Sequence, residues 1–254
     1  MTDEKKEKLE LAISAIQKRW GTRIIGRSAQ QAKKDFPSIS TSFPQLDEAL
    51  GIGGIPRGRI SELIGIPTSG MATLALKIIA AAQEKGGTAV YLDLTRTFDP
   101  GYAWRCGVQL SHLTLIHPYT VQQSLAILSD FGINGGIDLL IFDMPLSLQN
   151  EPRTALKLSS TLGRLLAPLS KNESALLFLT SLPAESHAAY PEQATLPHFA
   201  TLRLQLSKER WLYKEQDVRG YEAQVLIAKN KLHTPGQNVR IDITFNGTVE
   251  EDSV

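Results

Sequence analysis

Along the chain the spacing of apolar residues switches between two periods, and the switches mark the elements. Near the start, Leu9, Ile13, Ile16 and Trp20 recur at intervals of four, three and four residues, one stripe of an α-helix. Charged residues (Lys5, Lys6, Lys8, Glu10, Lys18, Arg19) fill much of the remaining surface, and Gly21 supplies a stop. Such a stripe needs cover, from the chain's own core or from a neighbouring subunit, and the residues alone do not choose. The polar stretch from Arg27 to Pro37 reads as a linker. The organisation predicted is an N-terminal arm at 1–36, a core at 37–246 and a frayed acidic tail at 247–254.

From about Ile39 to Pro183 strand and helix signals alternate. Strands are predicted at Arg59–Gly65, Thr88–Leu94, Leu113–Pro118, Ile137–Asp143 and Ser174–Leu182. Helices are predicted at Ala72–Lys85, around Gly101–Cys106, at Gln122–Phe131 and at Ala155–Leu169. Continuous apolar strands between amphipathic helices indicate a parallel sheet covered on both faces. From Thr201 to Phe245 the runs TLRLQLSKERWLYK, YEAQVLIAKNKL and NVRIDITF alternate apolar and polar residues, which predicts an antiparallel extension of the same sheet. The fold class is therefore α/β.

Composition narrows the function classes. The 254 residues carry 27 basic and 26 acidic side chains, a formal charge of +1, so any nucleic-acid contact has to come from a local patch. A single cysteine, Cys106, excludes an internal disulfide framework and a cysteine-cluster zinc site. No apolar run reaches the ~20 residues of a membrane helix, and the charged start is no signal peptide. A cytoplasmic protein is expected.

The most informative segment is LIGIPTSGMATLAL, Leu63–Leu76, where a strand runs through a glycine-rich turn into a helix. That is the context of a phosphate-binding loop, whose N–H groups and helix N-terminus face phosphate oxygens. Gly65 and Gly70 provide the glycine frame. Met71 stands where the phosphate-binding lysine belongs, and Ala72 stands at the Mg²⁺-ligating Ser/Thr position, with Thr73 after it. A thioether offsets no phosphate charge and a methyl ligates no hard cation. By spacing alone, a turn kept for packing fits as well. Asp143 ends an apolar strand, Asp99-Pro-Gly-Tyr102 reads as a turn, and Lys229 and Lys231 read as a solvated strand end. His112, His117, His187, His198 and His233 show no metal-ligand spacing. Cys106 is expected to be buried and inert, and Trp211 to pack on the sheet.

The collinear runs Ile39–Gly65, Ala72–Leu94, Leu92–Val108, Ile137–Asp143 and Val225–Lys231 resemble the bacterial RecA recombinase core, over roughly residues 5 to 245. The resemblance implies a RecA-like P-loop ATPase fold with an oligomerisation helix docked on the adjacent subunit through Leu9, Ile13, Ile16 and Trp20. It implies that Asp143 is the Walker B aspartate, that Asp99 and Tyr102 contact adenine, and that Lys229 and Lys231 reach a neighbour's ATP. This chain departs from the family where hydrolysis is performed. The family's Asp-x-Glu reads Asp93, Leu94, Thr95, and a threonine is no general base near neutrality. Catalytic residues are therefore none, with Met71, Ala72 and Thr95 degenerate. Gly65, Gly70, Thr73, Asp99, Tyr102 and Asp143 form a vestigial site for weakly bound ATP or ADP at most.

The loops matching the family's DNA contacts, Pro145–Arg153 and Pro183–Pro197, are short of basic charge, and the nucleotide-sensing glutamine becomes Ser181. Tyr190, beside His187 and two glutamates, makes no cationic stacking groove. In length and defects the chain also looks like the ImuA-type RecA paralogues, accessory proteins of a damage-inducible translesion mutasome, sharing the closing RLxLSKERW and GYEAQVLIAKNK blocks. The resemblance implies a bacterial SOS-response repair accessory that binds or caps a RecA–ssDNA filament, or recruits an error-prone polymerase. Single-stranded DNA would be reached weakly or through that partner, and homo-oligomers are an open expectation. An active ATP-dependent recombinase and a nucleotide-sensing module without a DNA partner remain as alternatives.

Overall fold

Strand β3 (Ile60–Gly65) is buried at all six positions because it has a parallel neighbour on each edge and a helical layer on each face. The computed structural model describes residues 3–21, 36–145, 151–182, 195–214 and 216–244. The chain divides into two compact units, 1–36 and 37–254. In the first, α1 (Asp3–Trp20) carries the Leu9, Ile13, Ile16, Trp20 stripe and ends at Gly21, whose left-handed φ of +90° lets its N–H donate to the Gln17 carbonyl at 2.8 Å. Most of the linker and all of the acidic tail lie outside the described residues.

In the second unit, β1 (Ser38–Ile39) pairs with β2 (Ile55–Pro56) around α2 (Pro44–Leu50), a small antiparallel piece not foreseen from the sequence. The main elements follow β3 in the order α3 (Met71–Glu84), β4 (Ala89–Asp93), α4 (Pro100–Arg105), β5 (Leu113–Ile116), α5 (Val121–Asn134) and β6 (Leu139–Asp143). Then come α6 (Pro152–Asn172), β7 (Ala175–Ser181), α7 (Leu196–Phe199), β8 (Leu202–Lys214), β9 (Asp217–Asn230) and β10 (Asn238–Thr244). Each predicted strand and helix of the core is present to within a turn. The extra first turn of α6 starts on Pro152, a residue suited to that position because its missing N–H would have no helical partner.

The eight strands run in the order β10-β9-β8-β3-β7-β6-β4-β5, parallel from β8 to β5 and antiparallel from β8 to β10. This is an α/β fold with a C-terminal antiparallel extension. Leu74, Ile78 and Ile79 of α3 pack with Leu63, Ile141, Leu177, Leu204 and Val225 on one face. Leu128 of α5 and Leu158, Leu162 and Leu165 of α6 cover Leu140, Phe142, Leu176 and Phe178 on the other. Cys106 is buried, as expected, and Trp211 keeps 44% of its surface exposed while stacking edge-on to Tyr221. Among the described residues no helix is long and apolar enough to cross a membrane.

One charge sits inside this apolar sheet. Glu62 on β3 is fully buried and accepts hydrogen bonds from Arg203 Nε at 2.8 Å and Thr180 Oγ1 at 2.7 Å, on the two flanking strands. A buried carboxylate stripped of its cation is strongly destabilising, whereas removing both charges together is often close to neutral. Arg203→Ala is expected to lower stability by about 3 kcal/mol, and Glu62→Met with Arg203→Met by clearly less, both read from urea unfolding midpoints.

Candidate nucleotide cradle

The turn after β3 opens between two parallel neighbours, since Gly65 pairs with Ser181 of β7 and Leu206 of β8. The Ser69 N–H closes it on the Ile66 carbonyl at 3.1 Å, and α3 begins at Gly70, whose φ is +95°. Both glycines are fixed by close approach. A Cβ at Gly65 would lie 2.2 Å from Ser69 Oγ, and one at Gly70 would lie 2.3 Å from Ile243 Cδ1. The left-handed φ requires glycine at position 70, and a side chain at position 65 would have to displace Ser69, before any ligand is considered.

Met71 is 8% exposed, and its side chain belongs to the apolar cluster under α3. Ala72 is exposed. Thr73 is buried, with its hydroxyl 2.6 Å from Tyr102 Oη. The Tyr221 hydroxyl arrives at the same helix turn from β9, 3.5 Å from where a Gly70 Cβ would stand. Burial is the main cause that raises the phenols of Tyr102 and Tyr221, the latter to about 12. The structure therefore brings Gly65, Gly70, Thr73 and Tyr102 together, and adds Tyr221, whose place depends on a strand pairing that no local pattern reveals. Asp99 caps α4, its carboxylate accepting from the Tyr102 N–H at 3.0 Å. A Mg²⁺–triphosphate needs a cation in the loop and a hydroxyl at position 72, and these residues supply neither. The donor set does not fit that group.

Beside the turn, β4 and β6 end in paired carboxylates, Asp93 opposite Asp143. Asp93 is fully buried and receives the N–H groups of Arg96 at 2.6 Å and Phe98 at 3.1 Å, together with the Thr95 hydroxyl at 2.9 Å. It holds the loop containing Thr95 in place, a function signalled only by its position before Thr-x-Thr. Asp143 accepts from the Tyr91 hydroxyl at 2.9 Å and from Thr95 Oγ1 at 3.2 Å. Burial pushes its carboxyl up to about 6; the Tyr91 hydrogen bond opposes this and the Asp93 charge adds to it. Tyr91 is driven far above the ordinary phenol range, chiefly by burial and then by Asp143.

Lys229 and Lys231 lie elsewhere. Leu202, Leu204 and Leu206 face the α3 side, so Arg203 and its cross-strand partner Lys229 face the α5–α6 side. Lys229 is half-buried and donates to the Pro197 carbonyl of α7 at 2.5 Å, while Lys231 is exposed. Burial, then the neighbouring Lys231 and Arg203, lowers the Lys229 ammonium. Residues 146–150 and 183–194, including His187 and Tyr190, lie outside the described residues, so the comparison with DNA-contact loops stops there. Among the described residues no group of three or more His, Cys, Asp and Glu is placed to hold a metal.

Asp143 gives a signed pH dependence. Its folded pKa is raised, so its contribution to stability is fully present below the unfolded carboxylate range and is lost as pH rises through about 6. Asp143→Asn is expected to leave the unfolding midpoint unchanged near pH 4 and to raise stability by roughly 2 kcal/mol at pH 7.5. Denaturant melts across that range check it.

Comparison with known proteins agrees with the topology. The model of the RecA N-terminal domain matches residues 7–250. Protein RecA of Herpetosiphon aurantiacus is 32% identical over 272 residues, covering 99% of this chain and 75% of that protein. Protein RecA of Geobacter sulfurreducens is 33% identical, covering 99% and 80%. The crystal structure of the RadB recombinase superposes with a TM-score of 0.65 at 22% identity, covering 82% of this chain and 97% of that one, which is a likeness of fold. With its parallel sheet, its turn from β3 into α3 and its match over nearly the whole chain, this protein belongs to the RecA family.

Proposed function

We propose that this chain is a RecA-family repair protein that does not hydrolyse ATP at its own cradle and acts by binding. In this reading it joins or caps a RecA–ssDNA filament and recruits an error-prone polymerase, in the manner of the ImuA-type paralogues of the SOS response. The observation that carries it is Met71, which is turned into the core at the position of the phosphate lysine. Ala72 and Thr95 remove the metal hydroxyl and the general base as well. Losing transition-state stabilisation alone typically slows a reaction ~10²–10³-fold, and here the metal's footing is missing too.

Lys229 and Lys231 support an action on a neighbour. Lys229 sits on the sheet face opposite α3, and Lys231 follows the end of β9, so in this reading a phosphate they touched would belong to another subunit. Nucleotide at this chain's own site would be ATP or ADP held weakly, through Tyr102 and the loop N–H groups. Asp143 keeps its place at the end of β6 and favours, as a second reading, an active recombinase with an unorthodox site.

Mixing the full chain with RecA and oligothymidylate tests the first reading. Filament length and RecA ATPase are expected to change in its presence, and Lys229→Ala with Lys231→Ala to abolish the change; no effect on RecA overturns it. DNA-stimulated hydrolysis by the chain alone, lost in Asp143→Ala, would establish the second. Calorimetry separates the two sites: wild type is expected to show little ATP binding, and Met71→Lys with Ala72→Thr and Thr95→Glu to bind at least tenfold more tightly.

A further inference from the structure

The hairpin of β8 and β9 outgrows the sheet. Strand β3 ends at Gly65, opposite Leu206, yet β8 continues to Lys214, with β9 its only strand neighbour there among the described strands. Strand β10 covers the far side of β9 only from Gly220 to Leu226. Among the described strands, Ser207–Lys214 is therefore an edge left uncovered on the β3 side and backed by β9, which β10 covers as far as Gly220; only Tyr213–Lys214 with Asp217–Arg219 form a two-stranded ribbon.

A bulge decides what this edge shows. Lys208 pairs with Ala223 but Arg210 with Glu222, so Glu209 is an inserted residue. Before it, Leu202, Leu204 and Leu206 face the α3 side; after it the parity is reversed, and Trp211, opposite Tyr221, faces that side instead. A second shift sets Tyr213 against Val218. Trp211, Tyr213 and Val218 remain 44%, 62% and 39% exposed, a concentration of aromatic surface that marks binding faces. Lys208 Nζ stands 3.9 Å from the Trp211 ring centre.

We propose that β8 beyond Leu206 accepts an extended segment of a partner protein by strand addition, with apolar side chains on Trp211, Tyr213 and Val218 and carboxylates toward Lys208 and Lys214. Charge selects this occupant. Along Ser207–Lys214, with Arg210 taken up by Glu222, Lys208 and Lys214 stand against the single acid Glu209, so an acidic strand is attracted and a basic one repelled. Lysines and a bulge on an edge also discourage indiscriminate pairing, leaving the complementary strand as the one that fits. On the reverse face, Arg210 and Arg240 share Glu222 at 3.0 and 3.8 Å, and near the ribbon's end Arg219 holds Asp217 at 3.3 Å. With those cations internally paired, the edge lacks the continuous positive track a phosphate backbone follows. The surface is independent of the cradle, and a chain that hydrolysed ATP would present the same one.

A library of random twelve-residue peptides, displayed on phage and selected on the full-length chain, tests this. Enriched sequences are expected to alternate apolar and acidic residues. A synthetic enriched peptide, titrated by fluorescence anisotropy, is expected to bind at least tenfold more weakly to Tyr213→Ser and to Lys208→Glu. The same loss is expected when alternate backbone amides of the peptide are methylated. Circular dichroism of both variants, and the unfolding midpoint of the exposed-site variant Tyr213→Ser, are expected to match wild type. Basic or patternless enrichment, binding indifferent to both substitutions, or displacement of the peptide by oligothymidylate from the same residues would overturn the proposal.

Discussion

The geometry of the molecule depends on the two-sided pairing of β3. A strand with hydrogen-bonded neighbours on both edges and helices on both faces has no route to solvent, so its residues must be apolar or fully compensated. Glu62 is compensated by Arg203 and Thr180, one from each flanking strand. That triad ties β7 and β8 to β3, with Arg203 level with Glu62 and Thr180 two residues nearer the turn. The position of Gly65 beside Ser181 and Leu206, and with it the cradle, follows from that register.

Within the cradle, packing and ligand chemistry require different residues at the same place. A lysine at position 71 would have to hold a strongly hydrated ammonium at the edge of an apolar cluster, a cost that only a bound phosphate offsets. Methionine removes the conflict, and burying such a side chain contributes about 1.5–3 kcal/mol. Tyr102 and Tyr221 converge on Thr73 in the same spirit, closing polar atoms on one another. Stability and phosphate binding compete at this turn, and the residues present favour stability.

What the sequence disclosed was whatever local period or local chemistry encodes. The continuous apolar runs of β6 and β7, the stripes of α5 and α6 and the glycine spacing of the turn were all legible, because each is written within a few residues. The degenerate positions Met71, Ala72 and Thr95 were legible for the same reason. Met71's burial, Tyr221's approach to Gly70 and Lys229's hold on Pro197 were not, since each depends on which strand lies beside which. The parity reversal at Glu209 is the sharpest case. Strict alternation along TLRLQLSKERWLYK would put Trp211 and Leu206 on opposite faces, and one inserted residue puts them on the same face.

The two lysines show how sheet geometry constrains function where local chemistry does not. Lys229 pairs with Arg203, three strand residues short of Leu206, so its backbone lies roughly 10 Å below the level of Gly65. It also faces the α5–α6 layer, with the sheet between it and α3. A four-carbon stem already bound to the Pro197 carbonyl cannot pass through that sheet to reach its own cradle. Any phosphate chemistry assigned to Lys229 must therefore be intermolecular, and release from Pro197 must precede it. The loss of the cradle's own cation and the survival of Lys229 are then independent features, because the sheet separates them.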